Sequence, residues 1–511
     1  MPTRESDKQE DKAPAYSWYA LGVLFLVYLL NFVDRQILSI LANDIRADLG
    51  IDDAQLGFLY GTAFAIFYAL FGIPLGRLAD SVPRLRLLSA GLALWSAMTM
   101  LSGFARNMAT LTFARIGVGV GEASANPCAY SLISDWFPKR IRATAISIYS
   151  AGLFLGSGLS LIIGGAIVES WNAAYTGGGP LGLAGWQAAF IIVGAPGLVL
   201  ALWVLALREP QRGAMDGVVQ KSNQRRGWAS FFHEIAEIVP PLTLLSAARR
   251  GPRNLASNLL AAAVLATLAF LASNAFGNGQ QFWFVAIGYY AVFSWASALR
   301  AQDAQAFSMT WKSPAFMGVV ALYSAVSYIG YTITYWAAPY AERTFLLSKT
   351  DLGLLIGAPN ALGGFLGVIV GGWLADRLAR RFDAGRAMVG AIPLLLSIPL
   401  LFVGYTTSSV ATFVVCNFLG NMATASALGA CAAASQALVL PRMRGTAAAI
   451  FLLGPTLVGL AFGPFAAGYI SESSGSLGVG VVTSLVAVIP GLLALGLVVK
   501  THSSSVAAAS G

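Results

Sequence analysis

The chain has 511 residues, of which 57% are hydrophobic and only 11% are charged. Soluble globular proteins usually carry about 25% charged residues, so this composition excludes an ordinary soluble domain and predicts that most of the chain lies in lipid. The net charge of +9 is not by itself a nucleic-acid signal, and we expect no nucleic-acid partner.

Neither a cleaved leader nor a metal site is expected. Residues 1–14 are charged with mixed sign, and the apolar run that follows is too long for a signal peptide. The three cysteines, Cys128, Cys416 and Cys431, fall inside apolar stretches without metal-ligand spacing. We therefore expect them to pack as structural side chains.

Fourteen stretches are long and apolar enough to cross a bilayer, which requires about 20 mostly apolar residues. They lie near residues 17–41, 54–76, 86–105, 108–134, 143–168, 185–207, 255–275, 280–299, 314–341, 351–374, 386–406, 409–438, 446–470 and 477–499. The main hydrophilic interruption is 208–253. Its apolar residues from Trp228 to Val239 recur at roughly helical spacing, which predicts an amphipathic helix on the membrane surface or against the protein.

The distribution of Lys and Arg predicts the orientation. If the N-terminus is inside, the segments assigned to the outside contain only four of the 32 basic residues, namely Arg46, Arg106, Arg343 and Lys349. An excess of basic residues marks the cytoplasmic side. We therefore expect a multi-pass protein of the cell membrane with both termini cytoplasmic, and of the inner membrane if the source is a Gram-negative bacterium.

An internal repeat divides the chain into two parallel halves. Residues 56–80 align with 352–376 at an offset of 296, and the identities include Gly57 with Gly353 and Gly61 with Gly357. Parallel six-helix halves characterise one large transporter fold, with its site at their interface. The predicted division is a cytoplasmic tail 1–16, a six-helix bundle 17–207, a cytoplasmic loop 208–254 with the amphipathic helix, two inserted helices 255–299, a linker 300–313, a second bundle 314–500 and a tail 501–511.

The repeat carries a motif twice. Gly76-Arg77-Leu78-Ala79-Asp80 with Arg84, and Gly372-Trp373-Leu374-Ala375-Asp376-Arg377, both follow the second helix of a half. The chain here resembles the major facilitator superfamily, which implies an all-α membrane fold and a gating role for Gly76, Asp80, Arg84, Gly372, Asp376 and Arg377. The first copy departs from the usual pattern, because Ser81 replaces the common basic residue and Pro83 the common glycine.

Four ionisable residues inside predicted spans carry a closer resemblance. The residues are Asp34-Arg35 in the first helix and Arg115 and Glu122 in the fourth. In these residues the chain resembles the spinster family, and the resemblance covers nearly the whole chain except 255–299. This resemblance implies export or exchange of lysolipids, including sphingosine-1-phosphate in animals, coupled to protons. It gives no role for the inserted helices.

The same charges indicate a site on physical grounds, because ionisable residues in a bilayer are costly and mark transport paths. Asp34 and Arg115 each lie seven residues from the outer end of their helices, which makes an ion pair between them plausible. Glu122 lies about 10 Å deeper on nearly the same face. We expect Glu122 and Asp34 to carry protons, and Arg35 and Arg115 to bind an anionic headgroup. The alternative is a structural network that only braces the helices.

The second half places aromatic and amide side chains where the first half has charges. Tyr328, Tyr331 and Tyr335 share one face of a helix. They predict the wall of a cavity for an amphipathic substrate, with an interface belt or helix packing as the alternative. Asn417 and Asn421, together with Asn360, are candidate polar contacts.

These observations predict a secondary active transporter of lysophospholipid or sphingosine-1-phosphate type substrates that works by alternating access. The alternatives are a proton-linked carrier of small organic anions or drugs, and a non-transporting receptor or scaffold. We expect no enzyme activity, because no nucleophile–base pair, metal-ligand spacing or phosphate loop is found. The expected partners are the substrate, protons and the lipid bilayer, the expected state is a monomer, and no cofactor is expected.

Overall fold

A computed structural model describes residues 13–176, 178–213, 215 and 224–510, and every regular element in these residues is a helix. Within this part of the chain, thirteen helices are long and apolar enough to span a membrane. They correspond to thirteen of the fourteen predicted spans. The structure therefore confirms an all-α membrane protein of the predicted kind.

The N-terminal half comprises the first six spans. Its helices are α1 Ala15–Leu49, α2 Asp53–Tyr60, α3 Thr62–Ala79, α4 Arg84–Ser102, α5 Met108–Glu122, α6 Ala125–Trp136, α7 Lys139–Ala174 and α8 Gly185–Leu205. The central segment and the inserted pair follow as α9 Gln224–Ile238, α10 Leu242–Arg249, α11 Pro252–Phe276, α12 Gly279–Gln302 and α13 Ala304–Thr310. The predicted amphipathic helix is α9, and part of the loop before it, 214 and 216–223, lies outside the described residues.

The C-terminal half repeats the six-span pattern. Its helices are α14 Pro314–Phe345, α15 Lys349–Leu352, α16 Ala358–Ala379, α17 Gly385–Met388, α18 Ala391–Gly404, α19 Val410–Ala437, α20 Arg444–Gly454, α21 Ala461–Ser474, α22 Leu477–Val482 and α23 Val488–Ser510. Short π-helical turns join α15 to α16 and α20 to α21. The last helix runs through Ser510, beyond the predicted end at 499.

The fourth predicted span, 108–134, is two helices rather than one. The chain leaves α5 after Glu122, passes through Ala123 and Ser124, and begins α6. Pro127 has no N–H to donate to the carbonyl of Ala123, and the Ser124 hydroxyl donates to the Gly121 carbonyl at 2.9 Å. These two local effects interrupt the backbone hydrogen-bond pattern next to Glu122.

The glycines that the repeat shares are the points where the two halves touch. A Cβ on Gly61 would lie 2.3 Å from the Leu460 carbonyl oxygen, and a Cβ on Gly357 would lie 2.6 Å from that of Gly158. The first contact joins the start of α3 to the segment before α21, and the second joins the segment before α16 to α7. Because a glycine lets two helix backbones approach closely, these positions bring the halves together at one end of the bundle.

The inserted helices lie on the side where α3 and α21 meet. Most of α11 is exposed, whereas α12 packs on α3, with Phe284 in edge contact with Phe58 and Phe67. Gln281 joins both halves, since it accepts from the Thr62 hydroxyl at 2.5 Å and donates to the Ala461 carbonyl at 3.2 Å. The inserted pair therefore reinforces contact between the halves at the same end of the bundle.

The contact at Gly61 predicts a difference between two alanine variants of one helix region. Gly61→Ala forces the Leu460 backbone away, so its thermal unfolding midpoint in detergent should fall by several degrees. Gly72→Ala is the matched control, because no atom lies within 4 Å of its added Cβ. Replacing this helical glycine should leave the midpoint unchanged or raise it, since glycine costs about 0.5–1 kcal/mol relative to alanine. Equal midpoints for the two variants would contradict the assigned contact.

Candidate functional site

A buried ion pair joins Arg35 in the middle of α1 to Glu122, the last residue of α5. Arg35 Nη2 donates to Glu122 Oε2 at 2.6 Å, and Arg35 Nε donates to the same oxygen at 3.2 Å. The Arg35 side chain is 8% exposed and that of Glu122 is fully buried. The pair therefore fixes the relation between the first and fourth spans deep inside the bundle.

This pairing corrects the arrangement expected from the sequence. Counting residues along the helices placed Arg35 level with Asp34 and Arg115, and placed Glu122 alone at a deeper level. That count ended the first span at residue 41, whereas α1 continues to Leu49. Arg35 lies 14 residues before the end of α1 and Glu122 lies 14 residues after the start of α5, so the two residues lie at about the same depth. Among the described residues Arg35 pairs with Glu122, and no ion pair joins Asp34 to Arg115.

Arg115 and Asp34 are buried without full hydrogen bonding. Arg115 Nη1 donates to the Asp34 backbone carbonyl at 3.5 Å, which is a long and weak contact. In the described part of the chain, Arg115 Nε and Nη2, Asp34 Oδ1 and Glu122 Oε1 have no hydrogen-bond partner. An unsatisfied buried polar group costs about 1–3 kcal/mol, and more when charged. A proton or an anionic ligand would therefore stabilise these atoms.

Aromatic rings lie close to both guanidinium groups. The Arg35 guanidinium carbon lies 4.7 Å from the Phe32 ring centre, 4.4 Å from that of Phe64 and 5.2 Å from that of Tyr68. The Arg115 guanidinium lies 5.6 Å from the same Phe64 ring. Cation–π attraction supplies part of the stabilisation that water would give an exposed arginine. Phe64 thus contacts both cations of the site.

The three predicted tyrosines take different positions. Tyr328 and Tyr331 are half-buried, and Tyr331 is close enough to Arg35 for their side chains to interact electrostatically. Tyr335 is fully buried and stacks on Tyr60, with 4.2 Å between the ring centres. Its hydroxyl donates to the Leu56 carbonyl at 3.3 Å. Tyr335 therefore packs between the halves, whereas Tyr331 faces the charged group.

The asparagines of the second half form one cluster. Asn421 Nδ2 donates to Asn360 Oδ1 at 2.8 Å and to Asn417 Oδ1 at 2.7 Å. The Thr334 hydroxyl donates to Asn421 Oδ1 at 3.2 Å. Within the described residues, Nδ2 of Asn360 and Nδ2 of Asn417 have no partner. The predicted polar candidates Asn417 and Asn421 therefore come together with Asn360 and keep two free donors.

The halves are closed against each other at the end of the bundle where α1 finishes and α2 begins, which we call the closed end. Asp53 is the centre of its ion pairs. Arg343 donates to both Asp53 carboxylate oxygens at 2.7 Å, and the Ser471 hydroxyl donates to one of them at 2.7 Å. Arg46 Nε lies 3.4 Å from Asp53 and its Nη2 lies 3.0 Å from Glu472. Residues from both halves therefore converge on one buried carboxylate.

A second inter-half contact at the closed end is centred on Lys349. Its Nζ donates to the Ile40 carbonyl at 2.9 Å and lies 2.7 Å from Asp44 and 2.8 Å from Glu342. Sequence reasoning missed this contact and the Asp53 cluster, because Arg46, Arg343 and Lys349 were counted only as charges of outer segments. Their position next to acidic residues at the ends of apolar runs was the available signal.

The two copies of the repeated motif have different surroundings. Arg84 is fully buried, pairs with Asp135 and donates through Nε to Glu209 at 2.9 Å. In the second copy Asp376 and Arg377 are exposed, and the Arg377 guanidinium lies 5.5 Å from the Trp373 ring centre. Gly76 and Asp80 lie at the end of α3, and Gly372 lies in α16. Only the first copy joins a buried ionic network in the described residues.

A group of metal-ligand residue types occurs on α9, where His233, Glu234 and Glu237 have ligand atoms within 4.8 Å of one another. Two arginines compete for these carboxylates. Arg77 Nε lies 3.0 Å from Glu234, and Arg250 Nη1 lies 3.6 Å from Glu237. We therefore assign the group to ion pairing rather than to a metal.

The sequence matches the family model described as Major Facilitator Superfamily over residues 24–326 and 320–510. The chain belongs to the Major Facilitator Superfamily. This facilitator is 28% identical over 472 residues to a protein of Mycolicibacterium smegmatis named MFS-type efflux pump. The aligned region covers 92% of this chain and 88% of that protein.

The spinster resemblance is also confirmed. The facilitator is 25% identical over 459 residues to Protein spinster of Drosophila melanogaster. The aligned region covers 89% of this chain and 62% of that protein. A crystal structure of a bacterial homologue of the human lysosomal transporter Spinster, in an inward-facing and unoccupied conformation, matches with a TM-score of 0.68. It is 25% identical and covers 98% of both chains. The chain is thus a multi-pass membrane transporter of this superfamily.

The Arg35–Glu122 pair predicts a non-additive effect on stability. Glu122→Ala leaves the Arg35 guanidinium buried without its carboxylate and should destabilise the protein by about 3–5 kcal/mol. Arg35→Met combined with Glu122→Ala removes both charges and should recover much of that loss. Denaturant unfolding of the purified protein in detergent gives both values. A double variant that is no more stable than Glu122→Ala would show that the pair is not formed.

The Asp53 cluster predicts that one carboxylate keeps the closed end shut. Asp53→Asn removes the charge on which Arg343 and Arg46 converge, so the halves should separate there in a larger share of molecules. Spin labels on Arg106→Cys and Ser408→Cys, both exposed in loops of this end, should report longer distances.

Asp52→Asn is the matched control for that experiment. Asp52 caps α2 through the Gln55 backbone N–H, and asparagine caps equally well. The control should leave the distance distribution unchanged. A shift of the same size in both variants would show that the Asp53 ion pairs do not hold the end closed.

Proposed function

We propose that this facilitator is a proton-coupled secondary transporter of amphipathic substrates with an anionic headgroup, of lysophospholipid or sphingosine-1-phosphate type. The observation that carries the proposal is the Arg35–Glu122 pair beside the incompletely bonded Arg115. An acid that holds one arginine, next to a second arginine with free donors, can exchange a proton for an anion. The resemblance to the spinster family implies the same substrate class.

Protonation of Glu122 is the proposed coupling step. A neutral Glu122 attracts Arg35 less strongly, so the guanidinium becomes free to bind phosphate through two parallel hydrogen bonds. Arg115 Nε and Nη2 are directed to the same headgroup. Asp34 is the second proton carrier in this proposal, since its Oδ1 is buried without a partner.

The aromatic and amide side chains are the proposed contacts for the rest of the substrate. Tyr328 and Tyr331 give an apolar wall opposite Arg35. Asn417 adds a polar contact through its unpaired amide donor, and Asn421, which is bonded to it, completes the polar part of the site. Tyr335 lies behind these two tyrosines, and its ring stacked on Tyr60 forms the boundary between the site and the closed end.

Alternating access requires that substrate and proton bind the two conformations with different affinity. We assign the closed end to one gate, formed by Asp53, Arg343 and Lys349. At the opposite end, the motif residues Gly76, Asp80 and Arg84, with Gly372, Asp376 and Arg377, form the proposed latch. The buried Arg84 network supports this role for the first copy.

The proposed placement is the cell membrane, with both termini cytoplasmic and the closed end outside. The four basic residues assigned to outer segments support this orientation, since three of them, Arg46, Arg343 and Lys349, are held in inter-half contacts at the closed end. We propose 17–207 and 314–500 as the two functional halves of a monomer.

Transport in proteoliposomes tests the coupling proposal. Labelled lysophosphatidylglycerol and sphingosine-1-phosphate are supplied with and without a pH gradient, and labelled gluconate represents small organic anions. Wild-type protein should move a lysolipid faster with the gradient. Glu122→Gln fixes the neutral form of the side chain, so it should still bind lysolipid but lose at least about 5-fold of the gradient-driven rate.

Asp303→Asn is the control for removal of an acid. Asp303 caps α13 through the Ala306 backbone N–H, and asparagine preserves the cap. This variant should transport like wild type. Unchanged gradient dependence in Glu122→Gln would refute the proton site, whereas movement of gluconate without lysolipid would refute the substrate class.

A proton-linked carrier of small organic anions or drugs is the second candidate. The extensive similarity to a protein named MFS-type efflux pump favours it, and the two arginines suit any anion. Transport of gluconate or of a cationic dye in preference to lysolipid in the same proteoliposomes would establish this alternative.

A further inference from the structure

The helix α9 turns its acidic residues toward the protein and its aromatic residues outward. Glu234 and Glu237 are each 2% exposed, whereas Trp228 is 48% and Phe232 is 63% exposed. A helix that faced water would carry the opposite distribution. The outward aromatic face of α9 therefore indicates an apolar or interfacial environment rather than water.

The buried face of α9 is seated on the first copy of the repeated motif. Glu234 pairs with Arg77, with 3.0 Å between Oε1 and Nε. A Cβ on Gly227 would lie 2.3 Å from the Ser81 Cβ, so helix and loop are in close contact. This contact accounts for the unusual serine at 81, because the basic residue common in the family would occupy the space that α9 takes.

The helix is also tied to the inserted pair. Gln302, at the end of α12, donates to Glu237 at 2.8 Å, and the Thr243 hydroxyl in α10 donates to the Tyr290 hydroxyl at 3.0 Å. Since α12 carries Gln281 at its other end, α9 and α10 are joined through one rigid helix to the contact between the halves. A displacement of α9 would therefore be transmitted both to the loop after α3 and, through α12, to the contact between the halves at Gln281.

Exposed apolar residues also occur in the two helices that follow α9, the second of which is long enough to span a membrane. In α10, Leu245 is 61% exposed, and in α11 the apolar Leu260 and Leu268 are 66% and 56% exposed. Arg249 and Arg253 are exposed where α10 meets α11. Because α11 is apolar and long enough to cross a bilayer, its first turn lies at the level of the headgroups. Aromatic side chains with basic neighbours at that level fit an anionic lipid surface.

We propose that the surface formed by Trp228, Phe232, Leu245, Arg249 and Arg253 binds the headgroup region of an anionic bilayer, and that this binding holds α9 against Arg77 and Ser81. The lipid surface is then a regulatory partner that braces the motif end of α3. This role is separate from the transported substrate and gives the α9–α12 insertion a function.

Depth measurement on the full-length protein tests the membrane contact. An environment-sensitive fluorophore is attached at Phe232→Cys in a background lacking Cys128, Cys416 and Cys431, and the protein is placed in nanodiscs with lipid-borne quenchers. Quenching should be strong and should be greater with phosphatidylglycerol than with pure phosphatidylcholine. Arg249→Gln with Arg253→Gln should abolish the difference between the two lipids.

Ser230→Cys is the matched control on the same helix. Ser230 is exposed although it lies about 160° around the helix from Phe232, on the same side of the helix as Glu234 and Glu237. Its label should respond to a water-soluble quencher and not to the lipid-borne one. Equal access of the soluble quencher to both labels would overturn the proposal and would indicate that the aromatic face meets water or a soluble partner.

Hydrogen exchange tests the second part of the proposal. Trp228→Ser with Phe232→Ser should raise the exchange rate of backbone amides in residues 80–82 several-fold in phosphatidylglycerol nanodiscs, and Glu234→Gln should do the same. Unchanged exchange in both variants would show that α9 does not brace this loop. These readouts need no transported substrate, so they can succeed or fail independently of the proposed function.

Discussion

The ion pair between Arg35 and Glu122 is the interaction on which the candidate site depends. Both charges are buried where the chain crosses the membrane, so each would be energetically costly without the other or without another charged or hydrogen-bonding partner in its place. The pair sets the position of α1 against α5, and its aromatic surroundings fix the Arg35 guanidinium. A proton on the acid or an anion at the base changes this balance directly, which is the property that a coupled transporter requires.

The closed end turns this local chemistry into a conformational choice. Close backbone contacts at glycines, the Asp53 and Lys349 ion pairs, and the bridge through Gln281 all join the two halves there. The pairs Arg343–Asp53, Arg46–Glu472 and Lys349–Asp44 each join residues of different halves, so these contacts must break when this end opens. A structure that is held by many inter-half contacts at one end switches between discrete states rather than deforming gradually.

The two halves share a backbone plan but differ in chemistry. The repeat places glycines at equivalent inter-half contacts, whereas the Arg35–Glu122 pair and Arg115 lie in the first half and the asparagine cluster in the second. The motif copies differ likewise, because Arg84 is enclosed by Asp135 and Glu209 while Asp376 and Arg377 face outward. Symmetry therefore serves the motion of the halves, and asymmetry serves recognition. The helix α9 adds to this asymmetry by covering only the first motif.

The sequence by itself determined the membrane class, the parallel repeat, the family and the identity of the four buried charges, because these follow from composition, periodicity and motifs that are local in the chain. It also contained Pro127, whose missing N–H accounts for the break in the fourth span. Only the tertiary structure decided that Arg35, rather than Arg115, pairs with an acid, and that Asp53 and Lys349 join the halves. Those pairings depend on where each helix ends, as with α1 continuing to Leu49, and on contacts between residues far apart in sequence, which the helical register alone does not contain.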